Sequence, residues 1–254
     1  MVSRGTKVPN VFKEMEQLRH LYLPYWYKVS EKLELCNLCY LQTLLNVVPE
    51  TIKIPTSFRL NHLRNLGFNN KIYRPFPGKV PHVIQILVSS CPHICKLYVY
   101  YCIKKLPDTR QFPQNLADLD LGHTGLEEDP MPTLEKLPNL KILNLTYSSS
   151  EGKNIVCCEG GFPLLQYLCL RRLDIPEDWR VEEGAMPSLC HLIISGCRSL
   201  KTIPDGLRFV TTLRELKISY MPKSFKDRLD NGGPDFYKVQ HVPSLVFERC
   251  DNDG

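Results

Sequence analysis

Leucine and its apolar substitutes recur along the chain in the pattern Leu-x-x-Leu-x-Leu. Successive middle leucines are separated by 23, 22, 31, 22, 24, 25, 24, 24 and 29 residues. Because seven of these nine intervals lie between 22 and 25 residues, the sequence indicates an internal structural repeat. The ten middle leucines are Leu21, Leu44, Leu66, Leu97, Leu119, Leu143, Leu168, Leu192, Leu216 and Leu245.

Each copy predicts one short β-strand. The last two leucines of the pattern are two positions apart, so they point to the same side of a strand. The first leucine is expected in the turn before the strand. Neighbouring copies must stack to bury these side chains, which predicts a parallel sheet over a continuous core. The second copy places Asn46 at its last position.

Cysteine stands five residues after the middle leucine in three copies, as Cys102, Cys197 and Cys250. A small, weakly polar side chain suits the interior of the turn that leaves each strand. The period and pattern are typical of leucine-rich repeats. The predicted fold class is therefore α/β, a horseshoe-shaped leucine-rich-repeat solenoid. It has a parallel sheet on the concave face and short helical or 3-10 turns or loops on the convex face.

A single array of about ten irregular repeats is predicted to fill residues 1–254. Two connections are longer than the others, at 71–93 and 222–241. The first carries four prolines between Lys71 and Pro92, and the second contains Asp-Asn-Gly-Gly-Pro at 230–234. Such residues mark loops.

Composition narrows the function classes. Hydrophobic residues make up 43% of the chain, enough for a packed core. No apolar run approaches the roughly 18–20 residues that span a bilayer, and the first residues lack the apolar core of a secretory signal. We therefore expect a cytoplasmic protein with reduced thiols and no membrane span. The net charge of +5 is spread along the chain, which argues against a nucleic-acid partner.

Motifs for catalysis and metal binding are missing from the sequence. It has no Gly-x-x-x-x-Gly-Lys-Ser/Thr phosphate loop, no Gly-x-Ser-x-Gly elbow and no His-Glu-x-x-His pair. Cys36 and Cys39 have the spacing of half a zinc site, but we interpret them as filling apolar repeat positions. Cys157 and Cys158 are interpreted as ordinary thiols. We expect no enzymatic activity, no metal and no cofactor.

Three segments carry a family resemblance. Residues 186–216, Met-Pro-Ser-Leu-Cys-His-Leu-Ile-Ile-Ser-Gly-Cys onward to Leu216, resemble the last repeats of coiled-coil-type plant resistance proteins. Residues 37–44 resemble an earlier repeat of those proteins, and residues 236–245 resemble their end. Over roughly residues 10–250, the chain resembles the leucine-rich-repeat region of plant intracellular immune receptors of the nucleotide-binding (NLR) class.

The resemblance implies a function in plant defence. It implies the effector-sensing and autoinhibitory repeat region of an immune receptor. ADP or ATP would bind only to a nucleotide-binding domain that the family carries before its repeats and that this sequence lacks. The implied protein partners are a pathogen effector, a guarded host protein or the receptor's own nucleotide-binding domain. Two alternatives stay open: the substrate-recognition subunit of a ubiquitin ligase, or a truncated, non-signalling NLR paralogue.

The predicted partner-binding surface consists of outward-facing residues on and beside the strands. Tyrosine and arginine are frequent there, and both are common in binding hot spots. The alternative explanation is that aromatic residues simply favour strands. The predicted set is Tyr22, Tyr25, Asn69, Tyr98, Tyr100, Tyr101, Asp120, His123, Asn144, Tyr147, Arg171, Arg172, Lys217 and Tyr220.

Overall fold

The computed structural model describes residues 5–53, 59–69, 88–146, 155–173 and 179–250. One parallel sheet runs through all five ranges, and short helices and small two-stranded sheets lie on its other side. Within these ranges, no helix combines the length and the apolar character that crossing a membrane requires.

The large sheet contains ten strands, each paired with its neighbours in chain order. They are β2 (His20–Tyr22), β5 (Thr43–Val47), β7 (Asn65–Asn69), β8 (Lys96–Tyr100), β9 (Asp118–Gly122), β10 (Ile142–Thr146), β12 (Tyr167–Arg171), β14 (His191–Ser195), β15 (Glu215–Ser219) and β16 (Ser244–Glu248).

The register of this sheet confirms the repeat pattern. Every pair of neighbouring strands aligns its two middle leucines, as Leu97 with Leu119 and Leu192 with Leu216. The middle leucines therefore stack into one column, buried except at Leu245 on the last strand, which is partly buried. The solenoid predicted from the sequence is the fold observed.

The second copy departs from the prediction at its last position. A β-bulge in β5 shifts the register, so that Val47 rather than Asn46 pairs with Phe68 and is fully buried. Asn46 has a φ of +61°, a left-handed conformation that asparagine adopts more readily than most residues. Its side-chain amide donates to the Leu23 carbonyl at 2.9 Å. The interpretation of Asn46 as the inward-facing position was wrong.

A turn of constant geometry precedes each strand. The N–H of the first leucine of every copy donates to the carbonyl three residues earlier, at 2.9 to 3.5 Å. The residue that supplies this carbonyl lies six positions before the middle leucine and is buried in nine copies. It adds an apolar column that the Leu-x-x-Leu-x-Leu pattern does not include: Leu38, Leu60, Cys91, Pro113, Leu137, Phe162, Met186, Val210 and Val239.

The cysteines after the strands take the predicted role. Cys197 and Cys250 are buried, and Cys102 is half-buried. The Cys197 thiol donates to the Leu170 and Ser195 carbonyls, both at 3.6 Å. These thiols therefore satisfy carbonyl groups where the chain leaves the sheet.

Short elements form the convex side, as predicted. Three small parallel sheets pair β1 (Thr6–Val8) with β3 (Tyr27–Val29), β4 (Leu33–Glu34) with β6 (Ile52–Lys53), and β11 (Ile155–Cys157) with β13 (Trp179–Val181). The described residues include the α-helices α1 (Met131–Leu134) and α2 (Lys223–Leu229). They also include 3-10 turns at Phe12–Glu14, Pro49–Thr51, Thr109–Gln111, Asp205–Phe209 and Phe236–Lys238. The long connection at 222–241 holds α2 and the last 3-10 turn, whereas most of 71–93 lies outside the described residues.

A buried charge network stabilises the last two repeats on the convex side. The Lys238 ammonium lies 3.0 Å from Asp235 Oδ1 and 2.8 Å from Asp205 Oδ1. Asp235 Oδ2 accepts from Arg228 Nε at 2.5 Å and from Thr202 Oγ1 at 2.7 Å. Burial alone would raise the pKa of Asp235, but these hydrogen bonds outweigh it and lower the pKa.

We expect this network to make the stability of the protein acid-sensitive. A carboxylate whose pKa is lowered by folding stabilises the fold above its ordinary pKa of about 3.9. That contribution disappears as the pH falls through the lowered value. Asp235→Asn should lower the free energy of unfolding at pH 7 by about 2 to 3 kcal/mol, because it weakens a buried ion pair. It should also reduce the loss of stability that acidification causes below about pH 5. Urea unfolding across pH measures both effects.

The matched control is Asp227→Asn in α2, next to Arg228 of the network, where the aspartate is exposed. This variant should unfold like the parent protein at every pH. If the free energy of unfolding fell equally with pH in the parent and in Asp235→Asn, the network would contribute nothing to acid sensitivity.

Candidate partner-binding face

The concave face of the sheet is built by strand alternation. Because the middle leucine of each strand points inward, the residues immediately before and after it point outward. Tyr22 on β2 is 64% exposed. Tyr25 and Trp26 follow it, are also exposed, and pack edge to face with ring centroids 5.3 Å apart. The first strand thus presents an exposed aromatic group, as predicted.

Tyrosines and aspartates from two central strands meet on this face. The Tyr100 hydroxyl on β8 donates to Asp120 Oδ2 on β9 at 2.9 Å. The ring of Tyr100 fits there because Gly122 lacks a side chain. A Cβ at Gly122 would lie 2.5 Å from the Tyr100 Cε1 atom. Tyr98 is half-buried and lies opposite Asp120 in the register. Its hydroxyl also donates to the Asp118 carboxylate, and burial together with the charges of both aspartates raises the pKa of Tyr98. We call Tyr98, Tyr100, Asp118 and Asp120 the Tyr-Asp cluster.

Burial and neighbouring negative charge disfavour the ionised forms of the side chains in the Tyr-Asp cluster. Burial raises the pKa of Asp120, as does the charge of Asp118, while the Tyr100 hydroxyl and Arg171 lower it. Burial and the charge of Asp120 raise the pKa of Tyr100. Both aspartates hold an Oδ1 atom that is buried and has no hydrogen-bond partner within the described ranges. Burying a carboxylate oxygen without a hydrogen-bond partner lowers the stability of the folded state.

Basic residues follow the cluster towards the C-terminal end of the face. Arg171 and Arg172 are exposed at the end of β12, while Asn144 on the intervening strand is half-buried. Lys217 lies 2.7 Å from Glu248 Oε1. Tyr220 is exposed, and Arg249 donates to its hydroxyl at 2.5 Å. The predicted residues therefore divide into an aromatic end, an acidic centre and a basic end.

The residue four positions after the middle leucine forms the rim of this face. It adopts a positive φ of 49° to 63° in five copies, as His123, Arg172, Gly196, Tyr220 and Arg249. In the first four, its N–H donates at 2.7 to 3.1 Å to the carbonyl that ends the next strand. The left-handed turn thus extends the hydrogen-bonded ladder by one residue. It also directs each non-glycine side chain to the edge of the sheet where the strands end. His123, Arg172 and Tyr220, three of the predicted partner-binding residues, lie at this edge.

Two predicted binding residues are buried, and the prediction was wrong for them. Asn69 is 4% exposed and Tyr101 is 3% exposed. The exit turn of β8 takes its left-handed residue at Lys104 instead of at position 101. The Tyr101 side chain therefore turns inward, and its hydroxyl donates to Glu50 Oε1. Tyr147, also predicted, lies outside the described residues.

The interpretation of the cysteines was wrong for Cys36 and Cys39, whereas the structure agrees with it for Cys157. Cys36 and Cys39 are exposed, so the view that they fill apolar repeat positions was wrong. Cys157 is buried, and burial raises the pKa of its thiol to about 12. This protonated thiol agrees with the interpretation of Cys157 as unreactive. In the part of the chain that the structure describes, no three histidine, cysteine, aspartate or glutamate side chains converge on a metal position.

Tyr101→Phe should destabilise the protein by about 1 to 3 kcal/mol. The substitution removes the hydroxyl of a buried ring that donates to the carboxylate of the exposed Glu50, and a hydrogen bond to a charged group contributes more to stability than one between neutral groups. Tyr22→Phe is the matched control, because its hydroxyl is on an exposed ring. It should change the free energy of unfolding by less than about 0.5 kcal/mol. Urea denaturation of both variants measures the difference. Equal stabilities would mean that the Tyr101 hydroxyl is not structural.

Comparison with known proteins agrees with this architecture. Residues 1–228 match the family model described as a leucine-rich repeat region. This chain belongs to that leucine-rich-repeat family.

Curated relatives of this leucine-rich-repeat chain are plant disease resistance proteins of Arabidopsis thaliana. It is 38% identical to the probable disease resistance RPP8-like protein 4 over 96% of its own length and 29% of that protein. It is 41% identical to the putative disease resistance protein At1g59780 over 94% of its length and 28% of that protein. It is also 38% identical to disease resistance protein RPP8, over 96% of its own length and 29% of that protein. The chain therefore spans less than a third of the length of these relatives.

Proposed function

We propose that this chain is a protein-binding recognition scaffold. It serves as the effector-sensing and autoinhibitory repeat region of a plant immune receptor. The observation that carries the proposal is the concave face, a sheet of ten aligned strands that presents exposed tyrosine and arginine side chains towards its two ends. Such side chains supply much of the binding energy in protein interfaces. The similarity to RPP8 and its relatives supports the defence context.

In this proposal the chain works through differential contacts. A repeat region that binds the inactive state of a neighbouring domain more tightly than the active state keeps the receptor off. A pathogen protein that competes for the same face shifts the balance. The chain itself contributes binding only. Catalysis and nucleotide binding are assigned to other parts of the receptor, and the compartment we propose is the cytoplasm.

Site-specific photo-crosslinking tests the proposal. A benzophenone amino acid is placed at Tyr22 or Arg171 on the concave face, or at the exposed convex positions Arg110 or Lys223 as controls. Each variant is co-expressed with the remainder of Arabidopsis RPP8 that lacks the region matching this chain. We expect crosslinks to that remainder from the two concave positions and none from the convex ones.

Two outcomes would overturn the proposal. Crosslinks that form only from Arg110 and Lys223 would place the contact on the convex side. The absence of any crosslink, with all four variants folded, would exclude the autoinhibitory contact.

A further inference from the structure

The Tyr-Asp cluster contains polar atoms that the fold leaves unused. Asp118 is 8% exposed, and its Oδ1 atom has no hydrogen-bond partner in the described ranges. The Oδ1 atom of Asp120, two residues along the same strand, is in the same state. Since Leu119 and Leu121 point inward, both aspartates point to the concave face. Buried carboxylate oxygens are normally satisfied, so this pair requires an explanation.

Nearby cations of the chain do not supply the missing donors. The Lys96 ammonium is 3.6 Å from Oδ2 of Asp118, and it is an exposed side chain. The charge of Arg171 lowers the pKa of Asp120, yet no hydrogen bond joins the two residues. The two Oδ1 atoms therefore remain free to accept hydrogen bonds from a donor outside the described residues.

We propose that the Tyr-Asp cluster binds an arginine side chain of a protein partner. A guanidinium group is planar and carries five N–H donors, so a single group can donate to the oxygens of both Asp118 and Asp120. The half-buried rings of Tyr98 and Tyr100 supply the aromatic faces on which guanidinium stacks favourably. The two aspartates make the site negative, which excludes acidic and disfavours neutral side chains. This inference rests on the proposed function, because it identifies one contact of the same face.

Binding requires a local rearrangement. Both Oδ1 atoms are covered in the unbound chain, and the Tyr100 ring lies over Gly122. Rotation of Tyr100 breaks its hydrogen bond to Asp120, and the guanidinium N–H groups replace it. Because the ring stays at the site and stacks on the ligand, its environment changes on binding.

Titration with a defined probe tests the inference. The probe is a tetra-arginine peptide with blocked ends, and the full chain carries ¹³C-labelled tyrosine rings observed by NMR. Resonances of Tyr98 and Tyr100 are assigned from the Tyr98→Phe and Tyr100→Phe variants. We expect saturable shifts of these two resonances, with affinity several times higher than for tetra-lysine, and no shifts with tetra-glutamine.

A charge-matched pair of variants separates the site from general attraction. Asp118→Asn combined with Asp120→Asn should weaken tetra-arginine binding at least tenfold. Glu127→Gln combined with Glu128→Gln removes the same charge from an exposed loop and should leave the affinity unchanged. Equal loss in both double variants, or shifts that spare Tyr98 and Tyr100, would overturn the inference.

Thermal unfolding of the same variants gives an independent readout. If the carboxylates are held for a ligand, the double asparagine variant should melt at the same temperature as the parent or higher. A fall in its melting temperature would show that the pair serves folding, and the inference would fail. Concave crosslinks that persist in this variant, without tetra-arginine binding in the parent, would reject the arginine site alone. Tetra-arginine binding without any concave crosslink would reject the proposed function alone.

Discussion

Replacing Leu168 by alanine should lower the free energy of unfolding by about 2 to 5 kcal/mol. Leu168 is fully buried, and it stacks between Leu143 and Leu192 in the column of middle leucines. Truncation removes the apolar contacts and leaves a cavity that the two rigid neighbouring strands cannot close. The affected contacts belong to three successive repeats, so the loss weakens the interface on both sides of the site.

Urea unfolding followed by tryptophan fluorescence measures this effect. Trp179 is buried in β13 of the central repeats, whereas Trp26 reports on the N-terminal aromatic group. The control is Leu164→Ala, four residues earlier, where the leucine is 40% exposed. It should cost less than about 1 kcal/mol. Similar unfolding midpoints for the two variants would contradict the assignment of the middle leucines as the main core column.

The stacked leucines could be located from the sequence because stacking imposes the same demand on every copy. A parallel register requires an apolar side chain at a fixed position in each repeat. All ten middle leucines align in this register, and nine of them are buried, with Leu245 on the last strand partly buried. The strand positions and the outward alternation followed directly. The column six residues earlier was missed because it contains cysteine, proline and phenylalanine as well as leucine, which blurs the pattern.

The exit turns could not be predicted in the same way. Their left-handed position is occupied by histidine, arginine, tyrosine and only once by glycine, at Gly196. A backbone demand that is met by hydrogen bonds to the next strand leaves no signature in side-chain type. The same turn explains why Tyr101 was misassigned, because β8 leaves the sheet without it.

The acidic centre of the face was only partly found. Asp120 was among the predicted residues, but Asp118 was not, since tyrosine and arginine guided the choice. The signal was present as two aspartates that flank an inward leucine on one strand. What the sequence could not supply is the burial of those carboxylates, which depends on Tyr98 and Tyr100 from the preceding repeat and on the space above Gly122.

Replacing Gly206 by alanine should be among the most damaging single substitutions, with a loss of about 3 kcal/mol or more. Gly206 lies in the 3-10 turn Asp205–Phe209, which packs against β13. A Cβ atom there would lie 1.7 Å from the Val181 carbonyl oxygen and 2.6 Å from its carbon. These are backbone atoms of a paired strand, so the 3-10 turn or β13 must shift as a whole.

The strain should appear where the two elements meet. Trp179 is on the same strand as Val181, so its fluorescence should report a lower urea midpoint and a more polar environment in Gly206→Ala. Gly5→Ala is the control, because a Cβ at Gly5 meets nothing closer than 3.4 Å. That variant should keep the parent midpoint. If Gly206→Ala kept the parent midpoint too, the turn and β13 would be far enough apart in solution to accommodate a Cβ atom, which would contradict this prediction.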